Sequence, residues 1–61
     1  MKFIIGNNER CETIMINPKN IIMIKPDYSN NCNSSLIFTI NGIVNIDRNF
    51  ESILSELTKG D

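Results

Sequence analysis

Histidine, tryptophan, alanine and glutamine do not occur in this 61-residue chain. Without imidazole there is no His-based acid–base catalysis, no Ser–His triad and no histidine metal site. An excess of charge of one sign is also missing. Six Lys and Arg stand against 7 Asp and Glu, which gives a formal charge of −1 and a pI near 5.2. That balance argues against gripping nucleic acid by bulk charge, so nucleic acid is not an expected partner. Apolar runs reach only about four residues, too short to span a membrane. The 3 glycines stand apart, so no glycine-rich loop cradles a phosphate. Cysteine is limited to Cys11 and Cys32, which allow one bridge at most and lack CxxC spacing. Cys11 reads as a small strand residue and Cys32 as a loop thiol. No secretory leader is expected, because Met1-Lys2-Phe3-Ile4-Ile5-Gly6 gives way to polar Asn7-Asn8-Glu9-Arg10. The expected compartment is the cytoplasm, with reduced thiols.

What the chain has in quantity is Ile, 12 copies, and Asn, 10 copies. Both use A/T-rich codons, which suits an A/T-rich bacterial or phage genome, so the expected cytoplasm is that of a bacterial cell or phage-infected host. A domain this short buries only about 60% of its unfolded surface. Cores below about 70–80 residues supply only a few kcal/mol. Small domains compensate with disulfides, a metal or a partner subunit. The cysteine usage leaves the partner subunit, with a homodimer as the default and higher oligomers as the variant.

The pattern predicts a single α+β domain over 1–61: a small antiparallel sheet of five short strands, then one C-terminal amphipathic helix, in a homo-oligomer. The strands fall at about 2–6, 11–16, 20–25, 35–40 and 43–47, the helix at about 49–59, with a flexible loop at 26–35. Gly6-Asn7-Asn8-Glu9-Arg10 reads as a turn, with Gly6 free to take positive φ. Asn17-Pro18-Lys19-Asn20 is a second turn, with Pro fixing φ. Pro26 ends the third strand. Asn41-Gly42 signals a two-residue type I′ hairpin, which pairs Ile40 with Ile43, Thr39 with Val44, Phe38 with Asn45 and Ile37 with Ile46. Phe50, Ile53, Leu54 and Leu57 recur at helical spacing and form the helix's core face. Asn49 is its N-cap, with Asp47 in competition, and Gly60 is placed to end it.

Segments 21–24 and 36–40 are apolar on both faces. One short helix covers one face of a small sheet, so a second copy is expected on the other, with Ile22, Ile24, Ile37 and Ile46 at the subunit interface. The carboxylates form no spaced motif, and Glu51 and Glu56 do not converge on a helix. No catalytic residue, metal ligand or cofactor is expected, and the chain is read as a non-enzyme. Tyr28, Asn30, Asn31 and Asn33 combine rigid aromatic area with adaptable hydrogen bonding, as binding loops do. Arg48 can bind an anion, or it pairs with Asp47, Glu51 or solvent. These five are the candidate partner-binding residues.

Ile16-Asn17-Pro18-Lys19-Asn20-Ile21, Ile40-Asn41-Gly42 and Phe50-Glu51-Ser52-Ile53-Leu54 resemble the small FlbD-like flagellar and swarming-motility proteins and related prophage proteins. That resemblance spans about residues 12–57 and implies a fold, with no catalytic residues. Glu12-Thr13-Ile14-Met15-Ile16 and Arg48, Glu51 and Ile53 resemble the carbon-storage-regulator RNA-binding family, which implies five strands, a helix and an interleaved dimer. The basic first strand of that family is replaced here by Phe3-Ile4-Ile5-Gly6.

The expected function is a small binding or regulatory protein that modulates a larger protein, one form being a phage- or prophage-encoded inhibitor of a host system. Two other readings are an RNA-binding translational regulator, with a clustered basic face from Lys2, Arg10, Lys19, Lys25 and Arg48, and an oligomeric nucleotide sponge, with Tyr28 or Arg48 on the ligand.

Overall fold

The computed structural model describes residues 2–31 and 33–59. Strands β1 (Ile4–Asn7), β2 (Thr13–Ile16), β3 (Ile21–Pro26), β4 (Ser35–Thr39) and β5 (Gly42–Ile46) precede helix α1 (Phe50–Thr58). Short 3-10 turns at Pro18–Asn20 and Tyr28–Asn30 flank β3. The expected α+β order of five antiparallel strands and a helix is therefore present. The expected single sheet is not: β1 and β2 form a hairpin, and β3, β4 and β5 form a separate meander. The break falls at Asn17. Its side-chain oxygen accepts from the Lys19 N–H (3.0 Å) and its carbonyl accepts from the Asn20 N–H (2.9 Å). Pro18 suits the first position of that turn, so the chain corners into a 3-10 turn and β2 and β3 do not pair.

Among the described residues, the buried apolar side chains enclosed by the inner faces of the two sheets and α1 are all isoleucine. Ile4, Ile16, Ile37, Ile46 and Ile53, one each from β1, β2, β4, β5 and α1, are 0–8% exposed. β-Branched side chains pack well on pleated strands, which suits four of these five positions. Ile14, Ile21, Ile24 and Val44 pack around them. Ile37 and Ile46 were expected at a subunit interface; both are fully buried within one chain and present nothing to a partner. Their strands are apolar on both sides, and alternation alone does not say which side faces inward.

Gly6 lies inside β1 rather than in a turn. A Cβ there would stand 2.7 Å from Ile46 Cγ1, so glycine is needed for close approach of the two sheets. Beside it, Asn7 and Asp47 join the sheets. The Asn7 N–H donates to Asp47 Oδ1 and the Asp47 N–H donates to the Asn7 carbonyl, both at 2.9 Å. The turn itself follows Asn7. Asn8 Oδ1 accepts from the N–H groups of Arg10 (2.9 Å) and Glu12 (3.0 Å). Cys11 sits in this exposed turn with φ of 62°, not in a strand.

The β4–β5 hairpin turns one residue earlier than expected. Thr39 pairs with Gly42, Phe38 with Ile43, Ile37 with Val44 and Ser35 with Ile46. A type I′ turn needs positive φ at both central residues. Here Gly42 takes φ of 132° and Asn41 does not take positive φ. Thr39 Oγ1 holds the alternative, accepting from the Asn41 N–H (3.1 Å) and donating to the Gly42 carbonyl (2.9 Å). The pairing moves by two positions, so every side chain keeps its expected face.

Asn49 caps α1 by accepting from the Ser52 N–H (2.7 Å). Of the expected core face only Ile53 is fully buried; Phe50 is half-buried, and Leu54 and Leu57 are exposed. A 9-residue helix brings little more than one turn against so small a core. The expectations for Cys32 and Gly60 lie outside the described residues.

Candidate functional site

Three surfaces present chemistry, and the first is the segment between β3 and β4. Asp27 organises it. Its N–H donates to the Ser34 carbonyl (3.0 Å) and closes the segment at its base. Its Oδ1 accepts from the Ser29 N–H (3.1 Å) and the Ser29 hydroxyl (2.5 Å). Its Oδ2 accepts from the Ser34 hydroxyl (3.1 Å) and from Asn45 Nδ2 on β5 (2.8 Å). The Ser29 hydroxyl bond leads in holding the Asp27 carboxyl below its ordinary range, against opposing desolvation, with Asn45 and Ser34 adding to it.

A carboxyl with a lowered folded pKa stabilises the fold above its unfolded value and loses that contribution as pH falls through the folded one. Thermal melts from pH 6 down to pH 2 should show stability falling below about 3.8, and Asp27→Ala should remove that part of the slope. An unchanged slope in the variant would clear Asp27 of the role.

Above this base Tyr28 is 76% exposed, the most exposed large apolar side chain of the described residues. Asn30 completes the same 3-10 turn, Asn31 follows at φ of 52°, and Asn33 is exposed. Tyr28, Asn30, Asn31 and Asn33 thus share one segment. Arg48 interacts elsewhere. Its guanidinium donates to Ser52 Oγ (2.6 Å) and to the Glu56 carboxylate, while Ser35 Oγ donates to its carbonyl (2.7 Å). The partner is Glu56, not Asp47 or Glu51. Ser52 and Glu56 stand four apart on one face of α1, and Arg48, just before the Asn49 cap, donates to both.

The second surface is the outer face of the meander. The register places Met23 and Lys25 of β3, Leu36 and Phe38 of β4, and Ile43 and Asn45 of β5 on that side. Ile43 is 63% exposed. Lys25 Nζ stands 5.7 Å above the Phe38 ring centroid at one edge. Ile22, at a register shift in β3, is 69% exposed, and Ile40 is exposed in the hairpin turn. Ile24 faces the core instead and is half-buried.

The third surface is a cleft of about 410 Å³ lined by Lys2, Phe3, Ile5, Arg48, Glu56 and Lys59. The Arg48 hydrogen bond leads in holding the Glu56 carboxyl below its ordinary range, with desolvation opposing and the charges of Arg48, Lys2 and Lys59 adding.

Among the described residues no three His, Cys, Asp or Glu side chains converge as a metal cluster. No helix among them is long and apolar enough to cross a membrane. Comparison with protein-family models, curated proteins and solved structures finds no match.

Proposed function

We propose that this chain is a small non-enzymatic binding protein that pairs with a second copy of itself and modulates a larger protein in the cytoplasm of a bacterial cell or phage-infected host. A phage- or prophage-encoded inhibitor of a host system is one form of this. The supporting observation is the outer face of the meander, where Met23, Leu36, Phe38 and Ile43 lie side by side on one sheet surface. An isoleucine core of five side chains is small, and covering this face adds a second apolar layer. A second copy fits best, because two such faces are self-complementary in apolar character and carry one cation, Lys25, beside its own aromatic ring. The Tyr28 segment and the basic cleft are then left for the larger partner.

The RNA-binding reading needs one clustered basic face. Lys2 and Arg48 line the cleft, Lys25 lies on the meander, Arg10 in the β1–β2 turn and Lys19 in the first 3-10 turn. Two of these five, Lys2 and Arg48, meet in the cleft, where Lys59 joins them, while Arg10, Lys19 and Lys25 stand on other surfaces, and that separation favours the protein-binding reading.

Native mass spectrometry and sedimentation velocity test the pairing. The wild-type protein is expected at a multiple of 7.0 kDa, and Ile43→Glu at 7.0 kDa with its far-UV circular dichroism retained. Ile43 is outside the core, so the substitution separates association from folding. A wild-type monomer at high concentration would overturn the pairing, and turnover of a substrate would overturn the non-enzymatic reading.

A further inference from the structure

Among the described residues, one edge of β1 is hydrogen-bonded at one end only. In the first hairpin the Asn8 N–H donates to the Glu12 carbonyl (3.0 Å). Bonding to a neighbour alternates along an antiparallel strand. The even-numbered residues of β1 therefore bond to β2, and the odd-numbered ones direct their N–H and carbonyl groups to the opposite edge. Asn7 does so, and there it meets Asp47 through both groups. Ile5, two residues earlier, directs its N–H and carbonyl to the same edge, and no described residue meets them. The reason lies in the chain after β5. It runs beside β1 as far as Asp47, then leaves at Arg48 to enter α1. Ile5 and Arg48 both line the cleft.

The walls of that cleft have a definite chemistry. Phe3 and Ile5 supply exposed apolar side chains, and Lys2, Arg48 and Lys59 supply three cations against one acid, Glu56. Its volume of about 410 Å³ lies within the usual range for ligand sites, about 300–1,000 Å³. Arg48 already holds the Glu56 carboxylate, which leaves Lys2 and Lys59 as the cations free to meet a ligand.

We propose that this cleft takes an extended acidic segment of a partner protein, which adds as a short strand to the free edge of β1 and continues the pairing that Asp47 begins. The inference rests on the protein-binding reading above, but on a surface separate from the outer face of the meander. Main-chain bonds to Ile5 supply affinity in this mode, and side-chain placement supplies selectivity. Apolar side chains of the segment lie against Phe3 and Ile5, and its carboxylates pair with Lys2 and Lys59. The Arg48–Glu56 pair stays in place as the floor.

The test uses two hexapeptides, one alternating Glu with Val and one alternating Lys with Val, titrated into isotope-labelled full-length protein. The acidic peptide is expected to bind, to shift the amide signals of Phe3 and Ile5, and to weaken as salt is added. Lys2→Glu with Lys59→Glu should weaken it by about tenfold, as reversal of two rim charges does. Glu56→Gln should tighten it, because the competing acid is gone. A Glu–Val peptide N-methylated along one edge should fail to bind. Equal binding of both peptides, no binding of either, or shifts confined to Met23, Phe38 and Ile43 would overturn the proposal. So would loss of the free Ile5 amide in the self-associated protein without peptide, which would assign the edge to a second copy. Ile43→Glu should still bind the acidic peptide, so failure of the edge and failure of the pairing are read separately.

Discussion

Ile37→Ala is expected to unfold a large fraction of this protein at 25 °C. Ile37 lies on β4, the middle strand of the meander, opposite Ile24 on one side and Val44 on the other. It is 0% exposed. Truncating a buried isoleucine to alanine costs about 2–5 kcal/mol, from lost transfer free energy and the cavity left behind. Folded domains hold about 0.05–0.15 kcal/mol per residue, so 61 residues hold about 3–9 kcal/mol in total. The loss is comparable with the whole. Ile22→Ala, on the same pair of strands but 69% exposed, should stay within about 0.5 kcal/mol. Urea unfolding followed by far-UV circular dichroism checks both. A larger cost at Ile22 than at Ile37 would mean that the inner and outer faces are assigned the wrong way round.

Gly6→Val is expected to be nearly as damaging, by crowding rather than by a cavity. A Cβ at residue 6 meets Ile46 Cγ1 at 2.7 Å, Ile46 Cδ1 at 2.8 Å and Asp47 Oδ1 at 3.1 Å. Ile46 is fully buried, so its side chain cannot swing out into solvent without leaving the core. Overpacking of this kind costs about 1–3 kcal/mol. Pushing the strands apart also strains the two Asn7–Asp47 hydrogen bonds, each worth about 0.5–1.5 kcal/mol. Ile46→Val removes Cδ1, one of the two carbons in the clash. In a double-mutant cycle it should recover part of the loss caused by Gly6→Ala. Strict additivity of the two substitutions would refute the contact.

The parts of this fold that were legible in the sequence are those set by local chemistry. Asn17-Pro18 writes its own turn, Asn49 caps its own helix, and the change of period after residue 49 separates the helix from the strands. The division into two sheets was not legible, because it depends on where the chain goes after Asn17 and not on the propensity of any strand. The hairpin register missed for a competing local reason: the Thr39 hydroxyl holds a turn that the Asn41-Gly42 signal does not predict. Gly6 looked like a turn residue because nothing near it in sequence announces Ile46. At the candidate sites, the polar character of the Tyr28 segment was readable from composition. Its anchor was not, since Asp27 reaches Asn45 across 18 positions. Arg48 stood out, but it precedes the Asn49 cap, so helical spacing alone does not pair it with Ser52 and Glu56. Lys2 comes to the same cleft only through tertiary packing.

The all-isoleucine core has an optical consequence. The chain has no tryptophan, and its single tyrosine, Tyr28, stands far out in solvent in the native state. Intrinsic ultraviolet fluorescence will therefore report on the tip of one turn and stay almost silent when the interior comes apart. A partner that covers Tyr28 would change the emission with no change in folding. The interior is instead labelled by its δ1 methyl groups, one from each of five elements. A methyl spectrum selective for isoleucine reads the two sheets and the helix in a single experiment.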